Sequence, residues 1–398
     1  MTRAIPPHTR VRATVDGWAD RLLSLSHALH AEPETAFEEH ASVARLGALL
    51  REAGFEVAEG VHGLPTALTA TYGSGGPTIG VCAEYDALPG LGHACGHNVI
   101  CAASAGAAVA LRPLADELGF RVKVIGSPAE EEGGGKVLLL ERGAFDDVTV
   151  AMMAHPERHD HCRAENSSPA VSRFRITFEG RASHAAAAPE RALNAADAAV
   201  VAQVAVGLLR QQVAGDCRIA GIVTDGGTVS NIIPESSTLH YEVRTPSAEQ
   251  LDGLKERVLN CFRGAAIATG TTMSVHSTQP DYLDLRHDPW LMHAYGRHIT
   301  ALGRTPRVPS DGTAPPGGST DMGNVTHILP AIHPSIGILG AEGTPHTRQF
   351  AAEAISPAAD RAVLDAAKAL ALTAVDLVLD EEQCATVLAA HRERLART

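Results

Sequence analysis

Aromatic residues are scarce in this 398-residue chain, with only eight Phe, five Tyr and two Trp. Positive charge is also in deficit. A formal net charge of −13 argues against a binder of nucleic acid or an anionic membrane, which needs a basic face, so neither is an expected partner. Nowhere is there an unbroken apolar run of about 18 residues, the length that spans a bilayer. The opening MTRAIPPHTRVRATVDGWAD has no leader-like hydrophobic segment. A soluble, cytoplasmic protein is the expectation. Seven cysteines, an odd number scattered along the chain, do not make a disulfide framework. Internal repeats are missing, and GGGK lacks the upstream glycine and following Ser or Thr of a phosphate-binding loop.

What the chain does have is 20 histidines and a clear organisation. Its length suits two domains. Residues 11 to 54 have the pattern of two helices, the second from about Ala36 to Ala53 with Gly54 placed to stop it. Short apolar runs follow at Thr78 to Ala83, Arg121 to Ile125, Val148 to Met153 and Ser335 to Leu339, with an Ala-rich helix over Val99 to Arg112. Buried strands alternating with helices give an α/β layer with a mostly parallel sheet. The middle differs. SRFRITFEG alternates, Arg191 to Gln211 forms a helix, TVSNIIPESSTLHYEVRTP supplies two strands around a turn, and a helix over Ala248 to Thr269 leads into TTMSVHS. That order is the split ferredoxin-like unit. The expected architecture is a discontinuous catalytic domain, residues 1–168 and 278–398, interrupted by a smaller domain at 169–277. The loop VPSDGTAPPGGSTD is the expected mobile segment.

Ligands of open α/β sheets gather beyond the carboxyl ends of the strands. Here TIGVCA leads to Glu84, Asp86, His93, Cys95 and His97, and RVKVIG leads to Glu130, Glu131 and Glu132. VTVAMMA ends in His155, and SIGILG is followed after a short loop by His346. Singly, each has an ordinary structural explanation: a buried thiol, a solvated acidic run, a strand terminator or a helix cap. Jointly they place metal-binding groups at one edge. Imidazole, thiolate and carboxylate suit zinc, and the mixed set also admits manganese or cobalt. Five candidate ligands, Cys95, His97, one of Glu130 and Glu131, His155 and His346, exceed the three of a mononuclear catalytic zinc, which favours two ions about 3.5–4 Å apart. Successive side chains diverge on an extended or loop backbone, so of Glu130 and Glu131 one can hold metal while the other serves the attacking water.

Over HALHAEPETAFEEH, EYDALPGLGHACGHN, GSPAEEEGGGK, MMAHP, GRASHAAAAPERALNAADAAV, NIIPE and STDMGN the chain resembles the metal-dependent aminoacylase and carboxypeptidase family. The resemblance is strongest to its amidohydrolase branch, which includes hippurate, auxin-conjugate and aminobenzoyl-glutamate hydrolases. It implies a zinc-peptidase-like catalytic domain with an inserted lid that also mediates homodimerisation. It implies two divalent ions per subunit, zinc or manganese with cobalt as an alternative, on Cys95, His97, Glu131, His155 and His346. It further implies Glu130 as general base, Asp86 orienting the metal site, His184 stabilising the oxyanion in the partner subunit's site, and Asn231 and Arg244 binding substrate. The reaction it implies is cleavage of the amide bond in small N-acyl amino acids or dipeptide-like substrates.

Three positions depart from the family pattern. Asn98 stands where many relatives carry Asp, Glu132 where glycine is common, and Asp321 in STDMGN fits the aminobenzoyl-glutamate branch better than the auxin-conjugate one. Two other functions compete. A thiol hydrolase built on Cys95 leaves the acidic pair unexplained. A non-catalytic metal- or peptide-binding homologue has no use for a base beside a ligand glutamate.

Overall fold

The computed structural model describes residues 5–165, 167–308 and 318–397. Most of the VPSDGTAPPGGSTD loop, residues 309–317, lies outside them. The chain divides into two compact units. One comprises residues up to 167, those from 285 to 308 and those from 320 onward; the other comprises 168–284 with 318 and 319.

The first unit is built on a sheet of β1 (Glu56–Glu59), β2 (Leu68–Gly73), β3 (Thr78–Glu84), β4 (Arg121–Ser127) and β5 (Val150–Met152), with Ala331–Ile332 as its last strand. Their spatial order is β1, β2, β4, β3, β5 and Ala331–Ile332. The pairs from β4 onward are parallel, while β1 and β2 add antiparallel edge strands. Every residue of β3 is buried, as expected for a central parallel strand covered on both faces. The expected strand at Ser335 to Leu339 shortens to Ser335–Gly337. It pairs not with the main sheet but with β6 (His155–Glu157), and Ala331–Ile332 takes the place in the sheet. Two prolines, Pro330 and Pro334, bracket that pair of residues and keep it short.

Helix His97–Leu118 runs behind the sheet with Val99 to Leu111 entirely buried. Its length and hydropathy would allow it to cross a membrane, but its apolar surface is consumed in the core. It packs closely on helix Pro357–Leu379, with Ala103 and Ala107 of the first and Ala366, Ala367 and Leu370 of the second all in the core. Gly106 allows a close approach, since a Cβ there would lie 2.9 Å from that of Ala367. Small side chains let the two helices fill the space between them without large aromatics. All seven cysteines are free thiols.

The second unit holds β7 (Ala170–Glu179), β8 (Ser183–His184), β9 (Arg218–Asp225), β10 (Ile232–Ile233), β11 (Ser236–Thr245) and β12 (Thr272–Ser277). A four-stranded antiparallel sheet in the order β12, β7, β11, β9 packs helices Ala195–Leu209 and Ala248–Thr269 on one face. The strand expected within TVSNII is instead β9, which lies earlier; only the two residues of β10 remain strand there. Nearly every residue of β9 is exposed, so RIAGIVTD has no buried alternation to mark it. The unit continues past Ser277 to Asp284 because Tyr282 pairs with Val171.

Candidate metal centre

β3 ends at Glu84, and the segment beyond it brings Asp86, His93, Cys95 and His97 to the same end of the sheet. Gly96 (φ 75°) turns the chain so that His97 begins the core helix and Cys95 stays at its mouth. β4 ends at Ser127 and leads into the acidic loop, where Ala129 adopts φ 56°, an uncommon conformation for a residue with a Cβ. That loop is tied down. Ala129 N–H donates to Glu39 Oε1 (2.8 Å), Gly134 N–H to Ala129 O (2.9 Å), and Glu131 N–H to Asp86 Oδ2 (3.0 Å). Gly135 permits the turn, since a Cβ there would lie 1.8 Å from Pro128 O. His155 arrives on β6, and His346 (φ 66°) is anchored by its N–H to Ala94 O at 2.8 Å.

Donor atoms converge as two trios that share the Cys95 thiol. Cys95, His97 and His155 form one and Cys95, Glu131 and His346 the other, each with its ligand atoms within 4.8 Å of one another. Cys95 Sγ is 3.3 Å from His155 Nε2, and Glu131 Oε2 is 3.4 Å from His346 Nε2. Glu130 Oε2 lies 3.9 Å from His97 Nε2, and a third trio joins Glu84, His97 and Glu130. All five expected ligands are thus in two adjoining groups, with Glu130 beside them.

A cation fits these donors. His97 Nε2 and Glu131 Oε1 are buried without a hydrogen-bond partner among the described residues, and each such orphan costs about 1–3 kcal/mol unless something compensates it. Asp86, which is buried, accepts from His97 Nδ1 (3.0 Å), so Nε2 faces the other donors. Burial opposes charge on Asp86, but His97 and the backbone donors outweigh it and hold the carboxyl below the usual aspartate range. His97 is raised well above an ordinary imidazole: burial opposes its charge, and Asp86 overcomes this. Glu130 is also raised well above the carboxylate range, by burial first and then by Glu84 and Glu131. The protein's own acids therefore draw positive charge inward, as a divalent-ion site must.

Several residues of this neighbourhood carried no assigned role in the sequence. Glu39 is fully buried and pushed up to about 7 by burial and Asp86, yet in AFEEH it has the look of a solvated charge. His333 is partly buried with its ring 5.4 Å from that of His155, and desolvation holds it well below the usual imidazole range. Lys136 and Asp321 form a wholly buried ion cluster with Glu84. Asn98 is explained by its donors: Nδ2 gives hydrogen bonds to Ser26 Oγ (2.9 Å) and Ala354 O (3.0 Å), which an ionised aspartate could not do.

The other expected site residues belong to the second unit. His184 is exposed on β8, and its Nδ1 accepts from Ala186 and Ala187 N–H at 3.2 and 3.1 Å. With Nδ1 accepting, Nε2 is left as the ring's donor. Asn231 is exposed, and its carbonyl accepts from Ala185 N–H (3.0 Å), next to His184. Arg244 is less available. It donates to Glu242 Oε1 (2.9 Å) and Ser319 Oγ (3.0 Å), contacts that no sequence pattern revealed.

Residues 168–269 match the model of a peptidase dimerisation domain. The chain is 39% identical over 387 residues to Xaa-Arg dipeptidase of Mus musculus, covering 93% of this chain and 88% of that protein. It is 29% identical to a p-aminobenzoyl-glutamate hydrolase subunit of Escherichia coli, over 87% of each. Among solved structures it is similar to a Bacillus subtilis dinuclear metal-binding peptidase of the M20 family, with a TM-score of 0.67 at 23% identity over 92% of this chain and 99% of that one.

Proposed function

The chain belongs to the M20 family of metal-dependent peptidases and aminoacylases and is an amide-bond hydrolase, and from that premise we propose which residues carry the reaction. The observation that supports the proposal most is the pair of donor trios sharing Cys95 with Glu130 alongside. Cys95, His97 and His155 would hold one divalent ion and Cys95, Glu131 and His346 the other. Zinc is the first candidate, because a shared thiolate suits it, with manganese and cobalt as alternatives. Bound ions supply Lewis acidity to the scissile carbonyl and a nucleophilic water at neutral pH.

The protein's own groups do the rest. Glu130 takes a proton from the attacking water as the C–O bond forms and delivers it to the leaving nitrogen as the C–N bond breaks. Asp86 fixes the ring of His97 and the backbone of Glu131 at once. His184 Nε2–H serves as the oxyanion donor, acting in the partner subunit's site, and Asn231 beside it binds substrate. Arg244, oriented by Glu242 and Ser319, is the proposed anchor for a substrate carboxylate. We take the substrate to be a dipeptide or N-acyl amino acid, with dipeptides carrying a C-terminal basic residue first in line after the murine relative. We place the enzyme in the cytoplasm.

Chelator-treated enzyme reconstituted with zinc, manganese or cobalt, and assayed on Xaa-Arg dipeptides, aminobenzoyl-glutamate and N-acetyl amino acids, tests this. Hydrolysis lost on chelation and regained with metal is expected. Indifference to chelation, with inactivation by iodoacetamide, would favour a Cys95 thiol hydrolase instead.

The homodimer is proposed to form through the second unit, where β9 is an open sheet edge. Val200, Val204 and Leu208 on the adjoining helix and Ile222 and Val223 on β9 are exposed. Exposed aliphatics along an open edge strand and on a helix of the same unit are the support for an association surface there. A Val204→Glu, Ile222→Glu variant is expected to elute at the monomer mass in light scattering. Because His184 acts across the interface, kcat should fall with dimer content; a monomer of full activity would refute that role.

A further inference from the structure

Directly after the acidic loop comes Lys136, a lysine with no exposed surface at all. Its Nζ donates to Glu84 Oε1 and to Asp321 Oδ1 (2.6 Å), and its backbone N–H donates to Asp321 Oδ2 (2.8 Å). Glu84 and Asp321 are likewise fully buried. Burying three ions is rarely the most stabilising use of core volume, because apolar residues of similar size fill it at lower desolvation cost. The cluster therefore needs a reason beyond stability, and its position suggests one.

Glu84 Oε2 is buried, has no hydrogen-bond partner among the described residues, and stands 3.5 Å from His97 Nε2. Glu84 also shares a trio with His97 and Glu130. One carboxylate thus reaches from the lysine clamp to the edge of the metal site. The loop between them is held at its start by Glu39, at Glu131 by Asp86, and at its end by Asp321, which accepts from Lys136 N–H. The last of these anchors the chain just beyond the three glycines Gly133 to Gly135.

We propose that Lys136, acting with Asp321 and Glu84, is a positioning residue that sets the direction of the Glu130 carboxylate. Asp321 grips both the backbone and the side chain of Lys136, so the loop end and the ammonium group move as one body. Lys136 in turn fixes Glu84, whose outward oxygen forms the wall facing Glu130. Repulsion between these two acids, and the clamp behind one of them, keep Glu130 turned toward the reacting centre. The proposal rests on Glu130 being the base.

Two variants test it against Glu130→Gln as reference: Lys136→Met, and the neutral triple Lys136→Met, Glu84→Gln, Asp321→Asn, which leaves no uncompensated buried charge. Each is measured for kcat, KM and metal content by mass spectrometry. Both are expected to keep the wild-type metal content and KM and to lose about 10²-fold in kcat, the scale of a misplacement near 1 Å. If Lys136→Met does not fold, the triple variant alone decides. A triple variant with wild-type kcat, or one whose activity falls only in step with its metal content, overturns the positioning role. Full activity of Glu130→Gln would instead remove the base on which the proposal stands, and so separates the two failures.

Discussion

Glu130→Gln should lower kcat by about 10²–10⁴-fold, the usual contribution of a general base, while KM and metal content stay at wild-type values. The reason lies in the division of labour on the acidic loop. Glu131 faces His346 and Cys95, so it belongs to a donor trio that includes neither Glu130 nor Glu84. Glu130 lies 6% exposed beside His97 and Glu84, where its proton affinity is raised by burial and like charge. Glutamine keeps the shape and removes the proton acceptor. A loss confined to kcat marks an interaction made only as the reaction proceeds. Steady-state kinetics with metal analysis on the same sample checks this; unchanged kcat would assign the base elsewhere.

The larger effect on metal is expected at Cys95. Because both trios contain its thiol, Cys95→Ala should release both ions at free zinc levels that saturate the wild type. His155→Ala and His346→Ala should each release one, and not the same one. The thiol is raised well above its usual range by burial and by Glu131, so a proton competes with the metal for it, and affinity should climb with pH. Equilibrium dialysis of the three variants distinguishes a shared ligand from three independent ones. If Cys95→Ala retains both ions, the thiol is only a neighbour.

Much of this centre was legible because its chemistry is carried by residue types that seldom coincide at strand ends. β3, β4 and the segment into β6 announced themselves as short apolar runs, and each delivered its Cys, His or Glu to the expected edge. The last strand was less readable. Ile336 and Ile338 look like a main-sheet strand, yet the residues that pair with β5 are Ala331 and Ile332, held between prolines. β9 was missed because strand patterning reports a buried face, and an exposed edge has none.

Glu39 and Lys136 escaped for a different reason, and Glu84 and Asp321, though noticed at the strand end and in STDMGN, gave no sign of their pairing. Charged residues are read as solvated, and only the packing shows that these four are buried and paired with one another or with the acidic loop. The asymmetry is physical. A ligand set betrays itself by composition, whereas the groups that hold it in place use ordinary residues at long sequence separation. Lys136 and Asp321 are in contact across the fold, and nothing local in GGGK or STDMGN predicts it. GGGK is accordingly no phosphate loop. Its glycines close the acidic turn, and its lysine closes a buried ion cluster.

The proposed enzyme is a two-ion amide hydrolase with one thiolate common to both ions. Titrating metal-free enzyme with cobalt, while following dipeptide hydrolysis and the electron paramagnetic resonance spectrum, tests it most directly. Activity should reach its plateau at two cobalt ions per chain, with spin coupling between them and a sulfur-to-cobalt charge-transfer band that vanishes in Cys95→Ala. A plateau at one ion, with uncoupled signals and a spectrum indifferent to Cys95, would contradict it.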